Sequence, residues 1–206
     1  MSKVAIVTDS TATIPKEYLE QFPIWVVPQV LIWGDATLED GVDIQPDEFY
    51  ERLEKDPRHP TTSQVTPASF NKVFRELLEK EYEILAVLIS PKLSGTIESA
   101  NQALQNFPGA PVEIFNSESV AMAMGFQVLM AARAAKEGAS LKECRQVAEQ
   151  AKPLTGVVFA VDTLEFLHRG GRIGGGAKFL ATALDIKPIL EIRDGRVEAV
   201  ERVRTR

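Results

Sequence analysis

Residues 84–89, Ile-Leu-Ala-Val-Leu-Ile, form a short apolar run that ends at once in a polar turn, Ser90-Pro91-Lys92-Leu93-Ser94-Gly95. A helical pattern follows over residues 97–107. A run this short, with no polar position inside it, reads as a strand buried on both faces, the kind found in mainly parallel sheets. In open α/β sheets, ligands bind in the crevice at the carboxyl ends of such strands. Ser94 and Gly95 therefore stand where a ligand site is expected. Glycine lets the backbone approach a ligand closely. The free N–H groups and dipole of the helix that starts there favour an anion. Ser94 can cap that helix or turn its hydroxyl to a guest, and the residues leave both roles open.

The same pattern of apolar run, polar turn and helix recurs along the chain. Val4-Ala5-Ile6-Val7 is followed by Thr8-Asp9-Ser10-Thr11. Asp9 could bind a metal, orient a hydroxyl or cap the turn, the last being the commonest role for a turn aspartate. Residues 24–33 are extended, with Pro28 marking an edge or irregular strand. Helix signals resume at Pro46, with Phe49, Tyr50 and Leu53 assigned to one face. Pro60-Thr61-Thr62-Ser63-Gln64 reads as a hydroxyl-rich loop ahead of a helix with Thr66 as N-cap and Pro67 at its first position. Phe70, Val73, Phe74, Leu77 and Leu78 give that helix an apolar stripe. Residues 112–115 are a further strand, and 120–136 an apolar helix closed by Gly138. Ser140 and Glu143 have the spacing of a capping box. These units predict an α/β layer over residues 1–153, with parallel strands at 4–7, 84–89, 112–115 and 157–161.

The character changes after Pro153. A strand at 157–161 and a short helical piece at 163–167 lead into His168-Arg169-Gly170-Gly171-Arg172-Ile173-Gly174-Gly175-Gly176, five glycines in nine residues. Residues 178–184 read as helical. Asp194-Gly195 between two apolar runs is a strong hairpin signal, so antiparallel pairing is expected there. The expected fold is thus an N-terminal α/β layer with a mainly parallel sheet, followed over 154–206 by the start of a second, α+β domain. Two strands make a poor domain. The expectation is that further residues complete it, leaving one apolar face of the hairpin open in this chain.

Composition narrows the function classes. The net charge of -6 argues against a nucleic-acid partner. No apolar run is long enough to span a bilayer, and the opening residues lack a signal-peptide pattern. Cys144 is the only cysteine. No internal disulfide is possible, which fits a cytoplasmic protein. With one cysteine and two histidines, His59 and His168, a zinc site built from protein ligands alone is not expected. The glycine loop meets neither the dinucleotide nor the Walker pattern. With Arg169 and Arg172 it could place guanidinium groups near a carboxylate or phosphate, or it could be a flexible connection. Ser94 lacks the nucleophile elbow of a serine hydrolase, and only His168 could act as its base.

Six segments together resemble the DegV family: Thr8-Asp9-Ser10-Thr11, Asp40-Gly41-Val42-Asp43-Ile44, Pro60-Thr61-Thr62-Ser63-Gln64, Leu93-Ser94-Gly95-Thr96, Gly170-Gly171-Arg172-Ile173 and Lys187-Pro188-Ile189-Leu190. They stand in family order and cover the whole chain. The resemblance implies a two-domain protein that binds one long-chain fatty acid in a tunnel between its domains. It implies no cofactor and no catalysis by the chain itself. The acyl carboxylate would be presented to a separate ATP-dependent fatty acid kinase, giving an acyl phosphate for phospholipid synthesis. On the matching positions, the hydroxyls of Thr62 and Ser94 would hold the carboxylate, with the Gly95 backbone near and Thr61 and Ser63 beside them. Arg172 would sit near the head group or face the kinase. Tunnel residues would come from Phe159, Leu164, Leu167, Ile173, Phe179 and Leu180. Two other readings remain open: a dihydroxyacetone-kinase-like enzyme acting on a small carbonyl substrate, for which neither histidine is well placed, and a lipid-responsive regulatory module.

Overall fold

The computed structural model describes residues 3–179 and 186–204. Its strands and helices run in the order β1 (Lys3–Asp9), α1 (Lys16–Leu19), β2 (Ile24–Val27), β3 (Val30–Trp33), β4 (Ala36–Glu39), α2 (Pro46–Lys55), β5 (Thr61–Ser63), α3 (Pro67–Glu79) and β6 (Tyr82–Leu88). There follow α4 (Thr96–Leu104), β7 (Val112–Asn116), α5 (Ala121–Lys136), α6 (Leu141–Ala151), β8 (Val158–Ala160), α7 (Glu165–Arg169), β9 (Ile186–Arg193) and β10 (Arg196–Arg204). Short 3-10 turns at Ser10–Ala12, Lys152–Leu154 and Gly174–Phe179 link them.

The chain is α/β, with one parallel and two antiparallel sheets among the described residues. The parallel sheet has the order β2-β1-β6-β7. Its two central strands are apolar at nearly every position because both faces are covered. Successive side chains alternate between those faces. Val4, Ile6, Leu85 and Val87 meet Met124, Val128 and Ala131 of α5 and Cys144 and Ala148 of α6. Ala5, Val7, Ile84, Ala86 and Leu88 meet Phe70, Phe74 and Leu77 of α3 and Ala100 and Ala103 of α4. The expected helix starts form as read. Thr66 accepts from Ser69 N at 3.1 Å, with Pro67 next to it. Ser140 and Glu143 make both arms of the capping box.

Residues 24–33, expected as one irregular strand, divide at Pro28. β2 joins the parallel sheet, whereas β3 pairs antiparallel with β4 and β5 in a second sheet. Proline has no N–H to extend a ladder, and the next amide, Gln29 N, donates instead to Ser10 Oγ at 3.0 Å. Residues 61–63, expected as loop, form the edge strand β5, opposite β3 and exposed along its length. Two adjacent threonines suit an extended backbone. The second sheet is closed by α2, whose Phe49 and Arg52 flank the buried indole of Trp33 at 5.4 and 4.3 Å. Tyr50 does not share that face. It is exposed, since a neighbouring helical position points about 100° away.

The strand at 157–161 is not the fourth parallel strand. β8 pairs antiparallel with β9 in the sheet β10-β9-β8. Only Phe159 of β8 packs inward, while Val158 is 69% exposed. An apolar run covered on one face looks in sequence like one covered on both. The Asp194-Gly195 hairpin forms as expected, both residues having positive φ, 50° and 75°. Its apolar face was expected open. Instead Leu190 and Val197 are shut off by Leu164, Leu93 and Phe159, and Val158 and Val200 stay exposed on the sheet. The expected helix over 178–184 begins as the 3-10 turn ending at Phe179; its remainder, with the tunnel candidate Leu180, lies outside the described residues. The Phe179 side chain lies outside them too. Among the described residues no helix is long and apolar enough to cross a membrane.

Candidate ligand-binding site

The loops leaving β1, β2 and β6 meet at the carboxyl end of the parallel sheet around one buried carboxylate. Asp9 Oδ1 accepts from Thr11 N at 3.1 Å, from the Thr11 hydroxyl, and from Gln29 Nε2 at 3.2 Å. Its Oδ2 accepts from Ile89 N at 3.0 Å. A carboxylate with no exposed surface is tolerable only with such a set of donors. Asp9 therefore does cap its turn, and it also ties β1 to the end of β6. Gln29 carries the contact onward. Its Nε2 donates to Thr96 Oγ1 at 3.0 Å, and Thr96 Oγ1 lies 2.8 Å from Ser94 Oγ.

Ser94 is half-buried and is not the helix cap. Gly95 takes that position in α4, and no side chain caps the first turn. The first amides of α4 are thereby left to a ligand or to water. The Gly95 backbone is closely covered on one side. A Cβ there would stand 2.9 Å from the side-chain amide of Gln64. Gln64 follows β5 directly, so the edge strand bearing Thr61, Thr62 and Ser63 reaches the Ser94 turn through it. Thr62 pairs with Leu31 of β3 and is exposed. Arg172 arrives from the other side: its Nε donates to Leu93 O at 2.9 Å and its Nη1 to Gly170 O at 2.5 Å. Arg172 as a whole is exposed.

The hairpin tip closes over the same loop. Ser90 Oγ donates to Gly195 O at 2.7 Å, and Lys92 Nζ to Asp194 O at 2.6 Å. The structure thus brings Ser94, Gly95 and Arg172 side by side, with Thr61, Thr62 and Ser63 on the neighbouring edge. Gln29 and Thr96 were missed as site residues. Thr96 stands in a motif already singled out, but Gln29, after Pro28, carries no local signal at all. His59 is occupied elsewhere, its ring packing edge-on to Phe166 at 5.9 Å. A separate cavity of about 280 Å³ opens beside the turn after β7. It is lined by Ser117, Gln127, Thr155 and Ile192 among others, by the ion pair of Lys152 Nζ and Glu118 Oε2 at 2.9 Å, and by Asp194 of the hairpin tip, but not by Ser94, Gly95, Thr62 or Arg172.

Compared with known proteins, the chain matches over residues 3–206 the family model described as "Uncharacterised protein, DegV family". The chain belongs to the DegV family. A DegV domain-containing protein of Streptomyces coelicolor is 39% identical over 204 residues, 98% of this chain and 72% of the relative. Among solved structures, a DegV family protein of Thermus thermophilus, described by its fatty acid binding, superposes with a TM-score of 0.90 at 39% identity, over 98% of this chain and 72% of that one. DegV of Bacillus subtilis, described as a fatty acid binding protein, gives a TM-score of 0.90 at 34% identity, over 100% and 73%. A stearic acid-binding protein of Eubacterium ventriosum gives 0.87 at 30% identity, over 100% and 72%. In this DegV chain, Thr8-Asp9-Ser10-Thr11, Leu93-Ser94-Gly95-Thr96 and Gly170-Gly171-Arg172-Ile173 all meet at the end of β6. Pro60-Thr61-Thr62-Ser63-Gln64 touches them through its last residue.

Proposed function

We propose that this chain binds one long-chain fatty acid, its carboxylate held by the hydroxyls of Ser94 and Thr62 with the Gly95 amide and Arg172 beside them. The observation that carries the reading is the uncapped start of α4, with Ser94 just ahead of it and Arg172 bonded to Leu93 O, in a fold shared with fatty-acid-binding DegV proteins. A carboxylate leaving water needs several donors. One hydroxyl and one helix end leave most of its lone pairs unpaired, so the edge strand that bears Thr62 is the natural second contributor. Thr61 and Ser63 flank it and complete the polar edge.

In this reading the tail lies between the parallel sheet and residues 154–206, which we take as the beginning of a second, lipid-covering domain. Burying about 14 methylenes at ~0.8 kcal/mol each yields roughly 11 kcal/mol. Ordering the tail and losing translation offset about half of that or more. That leaves about 5 kcal/mol or less from the tail, so a micromolar dissociation constant, about -8 kcal/mol, needs a further ~3 kcal/mol from the hydrogen bonds to the carboxylate. In this reading the chain is a cytoplasmic carrier that performs no chemistry. It presents the bound carboxylate to an ATP-dependent fatty acid kinase, with the exposed Arg172 at the contact, and needs no cofactor of its own.

Native mass spectrometry of the protein at its full encoded length, with extraction of bound lipid, tests the first step. The expected result is one fatty acid per chain. Acyl phosphate should form only when a fatty acid kinase and ATP are added. A phosphorylated small carbonyl compound formed by the chain alone would contradict the carrier reading.

A further inference from the structure

We infer that Gln29, held by Asp9, is a positioning residue that sets the direction of the hydrogen bonds behind Ser94 and so makes Ser94 a donor toward the ligand. The inference rests on the carboxylate reading above. It follows from counting protons. The amides of Thr11 and Ile89 both point at the Asp9 carboxyl, at 3.1 and 3.0 Å, which suits its ionised, acceptor-only form. The Gln29 atom beside Asp9 Oδ1 must then be the NH2 group, because an amide oxygen there would face an acceptor. That fixes which way the amide is turned.

The NH2 group has two hydrogens. One goes to Asp9 Oδ1, the other to Thr96 Oγ1 at 3.0 Å. Thr96 thus receives a proton and has one to give. It has two acceptors within reach, Ser94 Oγ at 2.8 Å and Gln29 Oε1 at 3.4 Å, and the shorter contact is the stronger. Ser94 Oγ then accepts from Thr96, and its own proton is left to point out of the chain of bonds. A hydroxyl so directed matches an acceptor such as a carboxylate. Without the direction, Ser94 could spend its proton on Thr96 and meet the ligand with lone pairs.

Gln29→Glu tests this with little change of shape. A glutamic acid beside Asp9 shares a proton with it, and its other oxygen accepts from Thr96, which reverses every bond up to Ser94. Palmitate should then bind about tenfold more weakly, the equivalent of one lost charge-assisted hydrogen bond. Hexadecanol, which can donate to the reversed Ser94, should bind unchanged. Gln29→Met, which removes both polar atoms, should lower palmitate affinity in the same direction. It serves as the second variant if the glutamate unfolds the protein by thermal melting. Equal losses for palmitate and hexadecanol, or no loss for either, would overturn the inference. Ser94→Ala separates it from the reading beneath. If Ser94→Ala weakens palmitate binding while both Gln29 variants bind normally, only the positioning role fails. If Ser94→Ala itself binds normally, the carboxylate site fails with it.

Discussion

The parallel sheet and the C-terminal antiparallel sheet solve different problems. The first is covered by helices on both faces, and its central strands bury every residue from 4 to 9 and from 84 to 88. The second has one packed face, centred on Leu164, Leu190 and Val197, and leaves Val158 and Val200 exposed. The two meet where the hairpin tip lies on Ser90 and Lys92, a few residues from Ser94. The hairpin tip of the second sheet thus lies against the loop that carries Ser94.

The largest expected effect breaks the first region. Phe74→Ala removes a fully buried ring that packs against Phe70 and Phe107 and should cost about 3 to 5 kcal/mol in urea unfolding. Leu190→Ala should cost less than that and act mainly on the second sheet. Hydrogen exchange should quicken over residues 186–204 and stay slow in β1 and β6. Faster exchange in both regions would mean that the two sheets are one cooperative unit.

A smaller change should separate the regions without touching either core. Gly195 has φ of 75°, and a Cβ there would stand 2.3 Å from Ser90 Oγ. Gly195→Val is therefore strained by its backbone and clashes at the contact, and should undock the tip at a cost of about 1 to 3 kcal/mol. Cys144 is a reporter in the same experiment. It is buried under the parallel sheet, and burial pushes its thiol up to about 11. Alkylation at pH 8 should remain slow in this variant. Fast alkylation would show that undocking the hairpin also loosens the first region.

These contrasts explain what could be read from the chain. The strands around Ile6 and Leu85 were plain because double burial leaves no polar position, and the caps at Thr66 and Ser140 because their partners lie three residues away. Val157 to Val161 read as a parallel strand although β8 pairs antiparallel with β9, because an apolar run does not tell one covered face from two and pairing partners are not local. The turn at Pro28 was visible as an irregularity, but nothing near it told that the chain changes sheets there. Ser94 and Gly95 could be placed at a strand end, and Arg172 in a glycine loop. The Asp9–Gln29–Thr96 connection could not, since its partners are separated by 20 and 67 positions.

The smallest effect expected is at the capping box. Hydrogen bonds from the Ser140 side chain and then its backbone hold the Glu143 carboxyl below its ordinary value of 4.5. A lowered carboxyl contributes stability above the unfolded value and loses it as pH falls through the folded one. The stability gap between the parent and Ser140→Ala should therefore be full near neutral pH and narrow below about pH 4. Melting temperatures across that range check it, and a gap independent of pH would remove Glu143 from the account.

Calorimetry with palmitate on the full-length protein tests the central claim most directly. Thr62 and Ser94 both lie outside the cores, so replacement by Ala should leave the fold intact. Each single variant should weaken binding by about 1 to 3 kcal/mol. The double variant should lose less than the sum, because two donors to one carboxylate are not independent. Affinity unchanged in both single variants would contradict the account and leave the Ser94 turn with no part in binding the carboxylate.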